Sequence, residues 1–261
     1  MRFEVDGKRV FASSGTGQAG AEAKTVIFIH GGGLDHTVWV LPARYFARQG
    51  YRVIAPDLPG HGRSEGPALD TIEAMSDWIA AVAEALNVTQ TAVVGHSMGS
   101  LVAYQFALAH RRRCRALALL GTSVPMPVTD VLLDAARDNH HAAIEMANTW
   151  SHSSRGKMGA NENPGIWMMG AGERLIERSG PGVYFADFTA CKRFDPQPVA
   201  SSLDCPVLVI VADADQMTPA RAGLSVADSL PNARIVRLEG CGHSMLNERP
   251  NAVLDALIEI V

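Results

Sequence analysis

The sequence has no run of about 18 apolar residues, so no membrane-spanning helix is expected. It has no excess of positive charge either. Its 23 Lys and Arg stand against 27 Asp and Glu, a formal charge of −4, which argues against a surface built for nucleic acid or an anionic membrane. The single basic run, Arg111-Arg112-Arg113 with Arg115 nearby, follows a helical pattern and is expected to be the solvated end of that helix. Cysteine is scarce. Cys114, Cys191, Cys205 and Cys241 show no C-x-x-C spacing, so neither a zinc site nor a redox pair is suggested. The opening residues, MRFEVDGKRVF, alternate like a strand and contain no apolar signal core, so a reducing cytoplasm is the expected compartment. There is no internal repeat and no low-complexity tract.

What is present is a regular alternation. FEVDGKRVF reads as a hairpin turning at Asp6-Gly7. Six continuous apolar runs of the doubly buried kind follow, at 25–30, 51–57, 91–96, 115–122, 206–213 and 233–240. Helical patterns separate most of them. In one, Ile72, Met75, Ile79, Val82 and Leu86 recur at three and four residues, with Asp70 and Glu73 spaced as a capping box. Residues 99–110, 219–229 and 250–260 also read as helices. Strands alternating with helices predict an α/β fold, a mostly parallel eight-stranded sheet with helices on both faces. Residues 124–202 carry no strand run and are expected to form a helical cap insertion, leaving 1–123 and 203–261 as the core.

Chemistry is concentrated in four places. VVGHSMGS (93–100) fits G-x-S-x-G between a strand and a helix, which puts Ser97 on a sharp turn where small neighbours at Gly95 and Gly99 tolerate a strained backbone. A serine nucleophile needs a base, and His243, in the glycine-rich stretch GCGHSMLNERP after the last strand, is the best placed of nine histidines. The base needs an acid, and VLVIVADADQMTP supplies Asp213 and Asp215. Glycines of HGGGLDHTVW (30–39) let a backbone N–H join that of Met98 as an oxyanion hole. The order Ser, Asp, His is that of hydrolases built on such a sheet.

With HGGG, DLPGHGRS (57–64), GHSMGS, ADADQMTP and GCGHSMLNERP in place, the sequence resembles the α/β-hydrolase superfamily over nearly its whole length. The resemblance implies a triad of Ser97, Asp215 and His243, the acid standing four residues before Pro219, with Asp213 as the alternative. It implies Gly32, or else Gly33, as the second oxyanion donor beside Met98. It implies a serine hydrolase acting on esters without metal or organic cofactor. Ser97 at the nucleophile position argues against the branches that need a carboxylate there.

The expected partner is a small, largely apolar molecule, contacted by Gly33, Trp39, Trp150 and Trp167, with Met168 and Met169 as further candidates. Carbon–carbon bond hydrolase, lactonase and thioesterase activities share the same triad, and a slow small-molecule receptor is the alternative of another class. Cys241 reads as a packing residue, and His30, His61 and His96 as loop supports. His140, His141 and His152 lack a ligand set, so no metal is expected. Oligomeric state is not legible.

Overall fold

The computed structural model describes residues 1–17, 19–20, 22–138, 141–160, 162, 166–196, 203–231 and 233–261. The hairpin forms from β1 (Arg2–Val5) and β2 (Lys8–Ser13), and both turn residues, Asp6 and Gly7, take positive φ, as a two-residue hairpin turn requires. β2 runs antiparallel to β4 (Arg52–Pro56). β3 (Thr25–Ile29), β5 (Thr91–His96), β6 (Cys114–Leu120), β7 (Val207–Ala212) and β8 (Ala233–Leu238) continue the sheet in parallel, in the order β1-β2-β4-β3-β5-β6-β7-β8. Every residue of β3, β5 and β7 is buried, which is why they read as unbroken apolar runs. The edge strand β8 is buried only at Leu238 and carries two arginines, Arg234 and Arg237.

Successive residues of a strand feed opposite faces. Val93, Leu117 and Val209 pack under α2 (Ile72–Ala85) and α3 (Met98–Ala109), against Ile79 and Leu101. Val94, Ala118 and Ile210 pack on the other face against Phe46 of α1 (Val40–Arg48) and Leu257 of a C-terminal helix (Pro250–Ile258). The expected capping box at Asp70 and Glu73 does not form. Thr71 is the N-cap instead, extended at φ −137°, with Oγ1 accepting the Ala74 N–H at 3.2 Å.

Between β6 and β7 lie α4 (Asp130–Arg137), α5 (His141–Ser151), α6 (Ser154–Lys157), α7 (Met168–Glu177) and α8 (Val183–Arg193). They share a small core of their own that includes Leu132, Ile144, Ile176 and Phe188. Residue 202, where the insertion was expected to end, lies outside the described residues. After β7 come α9 (Ala220–Asp228), α10 (Met245–Glu248) and α11, the C-terminal helix named above.

The turn from β5 to α3 is set by backbone contact. A Cβ on Gly95 would overlap the Gly99 carbonyl, and a Cβ on Gly99 would overlap the carbonyl of Ile29 and lie 2.5 Å from that of His30. Gly99→Ala should therefore cost at least about 3 kcal/mol, the upper end for overpacking, because only main chain could yield. Gly20→Ala, whose Cβ meets nothing within 4 Å, should be near neutral. Denaturant unfolding of the two variants checks this, and equal midpoints would contradict it.

Candidate active site

Ser97 occupies the tip of that turn at φ 55°, ψ −124°, a region side chains rarely adopt. Its N–H donates to the Leu120 carbonyl at 2.9 Å and its carbonyl accepts from Ser100 Oγ at 2.6 Å. The turn is thus held through the main-chain N–H and carbonyl of Ser97, and the Ser97 hydroxyl bonds no described residue. Ser97 and His243 line one cavity.

The loop after β8 carries His243, and the loop after β7 carries Asp215. His243 Nδ1–H donates to Asp215 Oδ2 at 2.8 Å. The carboxylate is fixed by its own chain: Oδ1 accepts the N–H groups of Met217 at 2.8 Å and Thr218 at 2.7 Å, and Oδ2 accepts from Thr218 Oγ1 at 2.9 Å. Burial pushes the Asp215 pKa up, but the adjacent His243 ring and the Thr218 bonds outweigh it, and the net shift is downward. Asp213, the alternative acid, pairs with Arg237 on β8 instead. His96 Nε2–H donates to the His243 backbone carbonyl at 2.8 Å, with the two rings 4.8 Å apart. Burial, reinforced by His243, pushes the His96 pKa down to about 3, so this ring is neutral.

The glycine loop after β3 divides its donors. The Gly33 N–H donates to Asp187 Oδ2 at 2.7 Å and is spent. The N–H groups of Gly32 and of Met98, the first residue of α3, have no acceptor among the described residues, and both residues line the cavity. Asp187 is wholly buried and sits on α8, in the insertion. The same Oδ2 lies 2.8 Å from His61 Nε2, while His61 Nδ1 lies 3.1 Å from the Pro59 carbonyl. Both ring nitrogens face oxygen atoms, an arrangement that favours the doubly protonated ring. Burial opposes that charge, but Asp187 overcomes it and the His61 pKa is raised. His30, 4.9 Å away ring to ring, is the opposite case: its Nε2 accepts the Leu58 N–H at 3.0 Å, and burial lowers its pKa to about 4.

The cavity measures about 350 Å³ and opens above Ser97. Leu132, Leu175, Ile176 and Phe188 of the insertion supply apolar wall. None of the four residues expected to contact the substrate lines it. Trp39 is fully buried on the far face of the sheet, its ring 5.0 Å from that of Phe28. Trp150 packs against the insertion's own core. Trp167 is 73% exposed, ahead of α7. Gly33 is backed by Tyr184, whose Cδ2 would lie 2.7 Å from a Cβ. Met168 and Met169 are likewise absent from the wall.

His141 departs from the expectation of no ligand set. Glu173 and Glu177 stand 3.3 Å from its ring nitrogens and Glu145 stands 3.4 Å away, with Arg174 pairing both Glu173 and Glu177. A second His-carboxylate group, Asp35, His36 and Asp57, is closed internally by the 2.7 Å bond from His36 to Asp57. His140 lies outside the described residues. Cys241 is buried and its thiol pKa is pushed up by desolvation, as a packing residue requires. Three polar groups were missed: Thr218, readable from its place three residues after Asp215; Asp187, a lone acid in an apolar helix; and Asn148, for which no local signal exists.

The alpha/beta hydrolase family model matches residues 26–256. A 2-hydroxymuconate semialdehyde hydrolase from a Pseudomonas species is 30% identical, covering 84% of this chain and 80% of its own. A pimeloyl-[acyl-carrier protein] methyl ester esterase from Chromobacterium violaceum is 29% identical, covering 90% of this chain and 92% of its own. The solved enol-lactonase of Burkholderia xenovorans superposes with a TM-score of 0.89 at 22% identity, covering 100% of this chain and 99% of its own, a likeness of fold.

Two outcomes follow from the buried rings. His30 and His96 stay neutral in the native state while their unfolded counterparts take protons near pH 6.5, so stability is full above that pH and falls as pH drops toward 4. Each can remove on the order of 3 kcal/mol across that window, and His96→Gln should flatten the pH dependence of thermal unfolding. Asp187→Ala strands His61 and should cost about 3–5 kcal/mol in denaturant unfolding, with His61→Gln restoring part of it in the double variant.

Proposed function

The chain belongs to the α/β hydrolase family, and from that premise we propose that it cleaves a carboxylic ester of a small, largely apolar substrate through an acyl-enzyme on Ser97. The observation that carries this reading is the 2.8 Å bond from His243 to Asp215, with the rest of the ring and Ser97 lining a common apolar cavity.

Ser97 Oγ attacks the ester carbonyl carbon and His243 Nε2 takes its proton. Asp215 holds the ring in the tautomer that leaves Nε2 free and stabilises the imidazolium that forms. It stays ionised throughout, because two backbone N–H groups and Thr218 Oγ1 are bonded to it. The carbonyl oxygen becomes an anion facing the Met98 and Gly32 N–H groups, each such donor being worth about 3 kcal/mol of barrier. Collapse of the tetrahedral intermediate breaks the bond to the alcohol, which leaves with the proton from His243. Water then attacks the acyl carbon as His243 takes its proton, the Ser97 Oγ–acyl bond breaks, and His243 returns the proton to Ser97 Oγ, freeing the acid.

The apolar wall fits a hydrocarbon-rich acyl or alcohol group, and the methyl ester esterase relative supports an ester over other acyl bonds. Cleavage of a carbon–carbon bond or a lactone would use the same groups, and a receptor would use the cavity alone. Ser97→Ala should lose ester hydrolysis by at least about 10⁴-fold with an unchanged unfolding curve. A fluorophosphonate should label the wild type, stoichiometrically and at Ser97. Wild-type-like turnover by the Ser97→Ala protein, or refusal of the native serine to label, would contradict the mechanism.

A further inference from the structure

Where α5 meets α7, the cavity wall includes two hydrogen-bond acceptors that no described residue satisfies. His152, directly after α5, is 1% exposed and lines the cavity. Its Nδ1 lies 2.8 Å from the Asn148 backbone carbonyl. A carbonyl only accepts, so Nδ1 bears the proton. Burial pushes the pKa of this ring down, which keeps it neutral and leaves Nε2 with a bare lone pair and no partner. One helical turn earlier, Asn148 donates from Nδ2 to the Met169 carbonyl at 2.8 Å. That bond fixes the amide the other way round, so Oδ1 is the free atom, and no described residue donates to it. Facing both is Gly172 of α7. A Cβ there would stand 2.8 Å from Asn148 Oδ1 and 3.8 Å from His152 Cε1. With no side chain at Gly172, no methyl group stands against Asn148 Oδ1, and His152 Nε2 is enclosed just behind, with almost no accessible surface of its own.

We infer that this wall is a subsite for a neutral hydrogen-bond donor, so that the preferred substrate carries a hydroxyl or amide N–H on its otherwise apolar chain, received by His152 and Asn148. A buried acceptor left without a donor is destabilising, and a ligand hydroxyl relieves it where a methyl group cannot. A carboxylate offers only acceptors and can donate to neither atom. An ammonium group is disfavoured because Arg174 and Arg178 line the same cavity. The inference rests on the ester-hydrolase reading for the reacting end of the substrate, but the acceptor pair exists independently of it.

The test compares p-nitrophenyl esters of straight-chain acids with their ω-hydroxylated counterparts over a graded series of lengths. At the length that reaches the wall, wild type should favour the hydroxylated ester by about tenfold or more in kcat/KM. His152→Phe should abolish that preference while still hydrolysing the unsubstituted esters, and His152→Gln, which keeps an acceptor, should restore part of it. Thermal unfolding of both variants confirms that they fold. Calorimetric binding of a straight-chain diol against the matching mono-alcohol reads the subsite without catalysis. If wild type hydrolyses no ester yet prefers the diol, the proposed function fails and the subsite stands. If wild type prefers unsubstituted esters at every length, or His152→Phe keeps the wild-type ratio, the subsite is refuted.

Discussion

At the junction of β5 and α3, main chain passes main chain with no room for a methyl group, and the site is organised from there. Gly99 rests on the carbonyls of Ile29 and His30, so the helix starts hard against β3. Gly95 leaves room for the Gly99 carbonyl above it. With both fixed, Ser97 is forced to a positive φ and away from the sheet. The same contact brings the start of α3, whose first N–H has no acceptor among the described residues, beside the glycine loop that leaves β3. A strained serine, a free helix donor and a neighbouring loop donor are three results of a single steric restriction.

Electrostatics then differentiates histidines that the sequence cannot tell apart. His30 and His96 are wholly interior, each with one nitrogen against an acceptor and no carboxylate partner, and both are held neutral. His61 is as deeply buried, yet a carboxylate on one nitrogen and a carbonyl on the other raise its pKa and favour its charged form. His243 has the carboxylate on one nitrogen only, and the residue lines the cavity. The partner at each nitrogen, more than burial, decides what each ring can do.

Much of this could be read before any coordinates. The strands of the sheet interior were legible because burial on both faces leaves only apolar residues in Thr25–Ile29 or Val207–Ala212. Ser97 was legible as a candidate because a side chain on a tight strand-to-helix turn demands small residues at fixed offsets. Asp213 and Asp215 could not be separated by spacing alone, since the choice turns on Arg237 arriving from β8 to take one and a local turn to hold the other. The cavity walls were the least legible. An aromatic ring such as Trp39 is equally at home under a sheet or over a site, and nothing local in the sequence says which side of the sheet its short helical turn will face. Likewise, Asp187 is conspicuous only once His61 and Gly33, more than a hundred residues away, are found beside it.

That carboxylate has an evolutionary corollary. Insertions over an active site are commonly regarded as exchangeable, with the sheet as an indifferent platform for whichever lid is fitted. Here helix α8 of the insertion supplies a buried carboxylate on which the His61 ring, from the Asp57–Ser64 loop, and a main-chain donor of the HGGG loop both converge. A foreign lid lacking an acid at this point would leave a cation sealed in the interior. The α4–α8 segment and the sheet of this chain are therefore coupled through one contact, and chimeras should be cut so that residues 61 and 187 come from the same parent.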